Sequence, residues 1–253
     1  MGYDLWSALQ PVVDLGTGRV MAHEALLRGA IGTEWESPGA LFAKATQLGH
    51  RVTLEAIARD LGLRRLDDLP STQKLLLNID ALSPEIPALP GHPDVSPSRV
   101  ILEISEQQPV LTNPTLLDQV VLWRSQGHAI ALDDYGSGYM GIGAILLLKP
   151  DIIKLDRVII GDIDQDRVRQ IVVEHLVHMC RDLEIALVAE GIETPEELWT
   201  VQDLGIPFGQ GFLLGRPQAD PLTEVELPTR IVKKGGNRSA QARTDGTAES
   251  MKG

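Results

Sequence analysis

Seven strand-length apolar runs end in polar residues whose types could carry chemistry: Glu24, Asn78, Glu103, the pair Asp133-Asp134, Lys154, Glu190 and Gln210. The set is rich in oxygen ligands, with a single lysine among them. Several carboxylates converging on one point repel one another unless they are protonated or neutralised by a cation, and hard oxygen ligands suit Mg²⁺ or Mn²⁺. Two such ions held close together could clamp a phosphodiester and activate water for in-line attack.

The elements that must position these residues follow from periodicity. The apolar runs are Val20 to Leu27, Leu75 to Ile79, Val100 to Ile104, Ala129 to Leu132, Ile152 to Leu155, Ile185 to Ala189 and Phe208 to Leu214. Between most of them lie stretches with helical spacing, such as Leu117, Val120, Val121 and Trp123, or Val168, Ile171, Val172, Leu176 and Met179. Apolar strands alternating with helices predict a parallel sheet covered on its outer face. An eighth run, Ala8 to Leu15, is separated from Val20 by only Gly16-Thr17-Gly18-Arg19. Parallel neighbours need a crossover of a dozen or more residues, so these two strands are expected to pair antiparallel. The expected fold is a TIM-like (β/α)8 barrel with its first strand antiparallel, in which chemistry sits at the carboxyl ends of the parallel strands.

Composition agrees. The 253 residues are of the size of one barrel domain. The one cysteine, Cys180, excludes an internal disulfide and reads as a buried thiol on a helix face. The start Met1-Gly2-Tyr3-Asp4 lacks a basic signal head and no apolar run approaches a membrane span, so a soluble, cytoplasmic protein without membrane insertion is expected. Residues 1–228 are read as the barrel and residues 229–253 as a disordered basic tail. The tail carries net +4 against −12 for the whole chain, leaving a body of −16, which argues against binding to duplex nucleic acid.

The ordered motifs resemble those of the EAL phosphodiesterases, which hydrolyse cyclic di-GMP to linear pGpG. The resemblance begins with Gln10-Pro11 and His23-Glu24-Ala25-Leu26-Leu27-Arg28 and continues through Asn78, Glu103-Ile104-Ser105-Glu106, Asp133-Asp134-Tyr135-Gly136-Ser137-Gly138-Tyr139, Lys154-Leu155-Asp156, Val188-Ala189-Glu190-Gly191-Ile192-Glu193 and Gln210-Gly211-Phe212. It covers roughly Tyr3 to Pro217. It implies Glu24, Asn78, Glu103 and Asp133 as ligands of a first metal, and Asp133, Asp134 and Glu190 around a second, the ions being Mg²⁺ or Mn²⁺. Lys154, Glu190 and Glu193 are implied in catalysis, and Gln10, Leu26, Arg28 and Gln210 in substrate contact. The segment Tyr135, Gly136, Ser137 and Gly138, steadied by Glu106, is implied in loop control of a homodimer. A regulatory domain outside this sequence is expected.

Each of these residues also has a plainer reading. Lys154 could be an inward lysine paired with Asp156 or Asp133, Glu190 could cap the helix starting near Thr194, and Arg28 could form a rim salt bridge. His23 neighbours Glu24 and is expected on the opposite strand face. His175, His178 and Cys180 read as a helix face rather than a zinc site, and the four tryptophans as packing residues. The chain departs from the common family pattern at Tyr135, Ser137, Met140-Gly141, Ser105 and the segment Gly32 to Pro38. No metal ligand is lost, so hydrolysis is favoured over a non-catalytic receptor or interaction domain.

Overall fold

The computed structural model describes residues 4–80, 96–106, 114–138 and 141–230. Eight strands close a barrel in sequence order: β1 (Trp6–Asp14), β2 (Val20–Arg28), β3 (Lys74–Ile79), β4 (Val100–Ser105), β5 (Ala129–Tyr135), β6 (Ile152–Leu155), β7 (Ala186–Ala189) and β8 (Phe208–Gly209). β1 is antiparallel to both neighbours, and all other pairs are parallel. The expected reversed first strand is therefore present. Its connection to β2 is a tight turn in which the Asp14 carboxylate accepts from the amides of Gly16 and Thr17, each at 2.9 Å.

Helices α1 (Pro38–Gln47) and α2 (Arg51–Arg64) follow β2, α3 (Pro114–Gln126) precedes β5, and α4 (Ile142–Leu148), α5 (Arg157–Ile160), α6 (Arg167–Asp182) and α7 (Pro195–Asp203) complete the outer layer. Local sequence sets their starts. Thr194 and Glu197 form a reciprocal capping box at α7, and Asp166 caps α6 by accepting from Val168 and Arg169, interactions worth about 1 kcal/mol each. The main apolar core lies between strands and helices and includes Trp123 and Cys180. A smaller one fills the barrel interior with Val12, Ala22, Leu76, Ile101, Ala131 and Val188.

Two strands differ from the sequence expectation in ways that matter. The expected run from Phe208 to Leu214 pairs only at Phe208–Gly209, because the chain then turns against the segment after β7. A Cβ on Gly211 would lie 2.2 Å from the Ile192 carbonyl oxygen, so only glycine permits this approach. On β5, Leu132 pairs with Ile153 but Tyr135 pairs with Leu155, one extra residue on the β5 side. This is a β-bulge at Asp133-Asp134, and Asp134 takes a left-handed backbone with φ of 57°.

The expected tail lies outside the described residues except for Thr229 and Arg230. The chain holds to the barrel through Arg230, whose guanidinium pairs with Asp203 at 2.9 Å and lies over the Trp199 ring. Tyr139 and Met140 also fall outside the described residues.

Candidate metal centre and active site

At the carboxyl ends of the parallel strands, inward positions two residues beyond the apolar interior layer carry Glu24, Asn78, Glu103, Asp133, Lys154, Glu190 and Gln210. Register explains the gathering, since Asn78 lies opposite Glu103 across β3 and β4, and Gln10 opposite Glu24 across β1 and β2. Consecutive strand residues normally face opposite sides. The bulge in β5 removes that restriction and brings Asp134 to the same cluster as Asp133.

Carboxylate oxygens of Glu24, Glu103 and Asp133 lie within 4.8 Å of one another, as do those of Asp133, Asp134 and Glu190. Asp133 belongs to both groups. The Lys154 ammonium sits among them, at 2.7 Å from Glu103, 2.8 Å from Glu190, 2.9 Å from Asp133 and 3.3 Å from Glu24. It is 1% exposed. The alternative partner Asp156 instead caps α5 by accepting from Val158, and Thr194 rather than Glu190 caps α7.

One ammonium does not balance this site. Five carboxylates against one lysine leave a formal charge of −4 when all are ionised, the charge that two divalent cations cancel. Of the two buried Glu103 carboxylate oxygens, Oε1 meets only the Lys154 ammonium and Oε2 has no partner among the described residues. An orphaned buried carboxylate oxygen of this kind calls for a cation, so the donor set fits hard divalent metals.

The electrostatics carry the same imprint. Burial pushes Glu103 well above the usual carboxylate range, reinforced by Glu24 and Asp133 and opposed by Lys154. Burial also raises Glu190 to about 8, with the charges of Asp133 and Glu24 adding to it against Lys154. Asp134 rises to about 6 through burial and Asp133, despite a 2.9 Å hydrogen bond from Ser105. For Glu24, burial is outweighed by Lys154 and by donors from Gln210 and Asn78, so its carboxyl is held low. For Lys154, burial is outweighed by the four surrounding carboxylates, so the ammonium is held well above its usual range.

Polar amides line the cleft. Asn78 Nδ2 donates to Glu24 at 2.9 Å, and Gln210 Nε2 donates to Glu24 at 2.8 Å and to Gln10 at 3.1 Å. Leu26 lines the same cavity, of about 340 Å³, with Arg157 and Phe212 at its rim. Arg28 shares the strand face of Glu24 and Leu26 but folds back, donating to the Leu27 carbonyl at 2.8 Å. Glu193 lines the cleft yet pairs with Arg157 at 3.1 Å and belongs to neither group of clustered carboxylates. His23 points out of the barrel, where its Nε2 accepts from Leu222.

The loop after β5 is organised by Glu106. Its buried carboxylate accepts from the amides of Gly136 at 2.7 Å, Gly138 at 3.4 Å, and Gly141. The φ of 102° at Gly136 favours glycine, and a Cβ there would have to displace the Ile159 side chain, which it would meet at 2.2 Å. Ser137 Oγ donates to the Asp134 carbonyl, tying the loop to a residue of the carboxylate cluster.

Sequence reasoning missed a second cavity of about 260 Å³ beside the first, sharing Leu26 with it and walled by α1 and α2. It contains Arg51, Glu55, Arg59 and Asp80. Arg51 pairs with Asp80 at 2.7 Å and with Glu55 at 2.9 Å, Glu55 is raised to about 7 chiefly by burial, and the buried Arg59 Nη2 has no hydrogen-bond partner. The signal was the spacing of Arg51, Glu55 and Arg59 at successive four-residue steps on one helix face.

Comparison with known proteins places this architecture. The EAL domain model matches residues 4–217. The chain is 29% identical over 241 residues to an Escherichia coli (strain K12) protein named "Probable cyclic di-GMP phosphodiesterase PdeB", covering 88% of this chain and 45% of that protein. Among solved structures, Klebsiella pneumoniae BlrP1 in a manganese and cy-diGMP complex superposes with a TM-score of 0.76 at 30% identity, over 87% of this chain and 58% of that one. The PaMucR phosphodiesterase in complex with c-di-GMP gives 0.72 at 28% identity, over 85% and 92%. The chain thus spans less than half the length of curated relatives such as PdeB. The barrel with its reversed first strand, the acidic cluster at its carboxyl end and the match over residues 4–217 together show that the chain belongs to the EAL domain family.

Proposed function

We propose that this chain hydrolyses cyclic di-GMP to linear 5′-pGpG, using water activated at a pair of divalent cations, Mg²⁺ or Mn²⁺. The observation that carries the reading is the pair of carboxylate groups joined at Asp133 around a single buried lysine. Glu24, Asn78, Glu103 and Asp133 would hold one ion, and Asp133, Asp134 and Glu190 the other. The bound pair would supply Lewis acidity, lowering the pKa of a water and neutralising charge on the phosphodiester.

The chain's own groups do the rest. Glu190, in the cluster 2.8 Å from the Lys154 ammonium, is the carboxylate that would accept the proton of the attacking water. Lys154 contributes a fixed positive charge where negative charge develops, a role realised in the transition state. Gln10 and Gln210 offer amides to ribose or phosphate, and Arg28, released from the Leu27 carbonyl, offers a guanidinium to a phosphate oxygen. Glu193 acts through Arg157, keeping that guanidinium at the rim. The second cavity suits a guanine, whose donor edge matches Glu55 and Asp80 and whose O6 and N7 match arginine. The outward Ile142, Leu146 and Leu147 of α4 support a homodimer through the face next to the Glu106 loop.

Incubation of the protein with cyclic di-GMP in Mg²⁺ or Mn²⁺, with and without EDTA, tests the reading by chromatography of products. Metal-dependent pGpG is the expected result. Intact substrate that nonetheless binds would make the chain a receptor.

A further inference from the structure

The barrel has a second mouth. At the amino-terminal ends of the parallel strands the inward positions include Lys74, Ala129, Ile152, Ala186 and Phe208, and together with the interior layer beneath the metal centre they enclose a cavity of about 310 Å³. The interior layers of such barrels are ordinarily filled by bulky branched side chains. Here Ala22, Ala129, Ala131 and Ala186 stand at four of the lining or flooring positions, so the space is left open. Val12, Leu76, Ile101 and Val188 form the floor. The metal-ligating positions lie two residues further along the strands, beyond that floor, and the cavity is separate from the catalytic cleft.

The charged groups at this mouth are unequal. Asp151 is already engaged, by Arg124 at 3.1 Å and by the Ile130 amide at 2.8 Å. Lys74 points inward and has no carboxylate within ion-pairing distance among the described residues. An apolar funnel with Lys74 at its rim, unpaired among the described residues, is complementary to an apolar chain ending in a single negative charge.

We propose that this mouth binds an aliphatic monocarboxylate of roughly eight to twelve carbons, a size suited to a pocket near the lower end of the small-molecule range. The chain seats over the alanines and Phe208, and the carboxylate meets Lys74. The net charge of −12 disfavours non-specific attraction of anions, so binding depends on this one local cation.

Isothermal titration of the full chain with decanoate, 1-decanol and decyltrimethylammonium, each below its micellar concentration, tests the proposal. Saturable one-site binding of decanoate is expected, with the ammonium compound much weaker. Lys74→Gln should weaken decanoate about tenfold while leaving decanol within about twofold, as expected for loss of a charge-assisted contact. Ala129→Leu, which fills the mouth, should weaken both about tenfold or more. Should Ala129→Leu fail to fold, the Lys74→Gln comparison at an exposed position still decides. Absence of saturable decanoate binding overturns the proposal, and so does binding indifferent to Lys74→Gln, which would place the ligand in another apolar groove such as that between α1 and α2.

Discussion

Replacing Lys154 by methionine separates the two jobs assigned to it. In the metal-free protein its ammonium faces four carboxylates at 2.7 to 3.3 Å and is fully buried. Removing one partner of a buried ion pair costs about 3–5 kcal/mol, because the other is left uncompensated. For a domain of this size that corresponds to a fall in Tm of roughly 6–20 °C, at about 2–4 °C per kcal/mol. The missing positive charge is of the kind the cations supply, so saturating Mn²⁺ should reduce the penalty to about 1–2 kcal/mol. Linkage then requires the variant to bind Mn²⁺ about a hundredfold more tightly than the parent, since 1.4 kcal/mol is about tenfold. The assay is urea denaturation at pH 8.5, where more of the cluster is ionised, with EDTA and with Mn²⁺, alongside direct Mn²⁺ titration and turnover of cyclic di-GMP. Tighter metal binding with kcat reduced by orders of magnitude is expected. Equal destabilisation with and without Mn²⁺, and an unchanged affinity, would refute the reasoning and make Lys154 a structural strut.

Other consequences of the geometry are as direct. Asp133→Asn removes the residue common to both carboxylate groups; hydrolysis should be abolished while circular dichroism and Tm in EDTA change little, and turnover at the parental rate would dismiss the shared-ligand assignment. Glu190 at about 8 and Asp134 at about 6 are raised above 4.5 and 3.8, so the folded metal-free protein holds more protons than the unfolded chain between about pH 4 and 8 and loses stability as pH rises through that window. Metals need those protons gone, so Mn²⁺ affinity should rise with pH over the same interval, and calorimetry near pH 7 in buffers of different ionisation enthalpy should register proton release. Glu106→Ala removes the acceptor of the Gly136, Gly138 and Gly141 amides; at about 0.5–1.5 kcal/mol for a hydrogen bond, the loop should show faster amide exchange and kcat should fall more than Mn²⁺ affinity. Unaltered exchange there would remove Glu106 from loop control.

The strands were legible because period and length coincide in this chain. Each inward polar residue follows an apolar run short enough to be a strand, and the five residues between β1 and β2 permit only a turn. What the pattern concealed was β8. Phe208 to Leu214 reads as seven continuous strand-like residues, and only the backbone of Ile192, which touches Gly211, bends the chain after Gly209. That contact joins residues far apart in sequence and leaves no local periodicity. Helix α2 was obscured differently: Arg51, Glu55 and Arg59 face the second cavity, so the inner side of α2 does not show the apolar stripe by which amphipathic helices are recognised.

The ligands of the candidate site were visible as residue types, but their balance was not. Asp133 and Asp134 are neighbours, and strand alternation alone would send one of them outward; the bulge and the left-handed backbone of Asp134 turn both toward Glu190. Once both are inside, five carboxylates share one lysine, and the metal-free cluster can persist only by retaining protons on groups such as Glu190. The same excess of charge that raises those carboxyls creates the demand for cations, so the strained β5 backbone, the perturbed acidities and the fit for two divalent ions have a common origin in one extra residue between Leu132 and Tyr135.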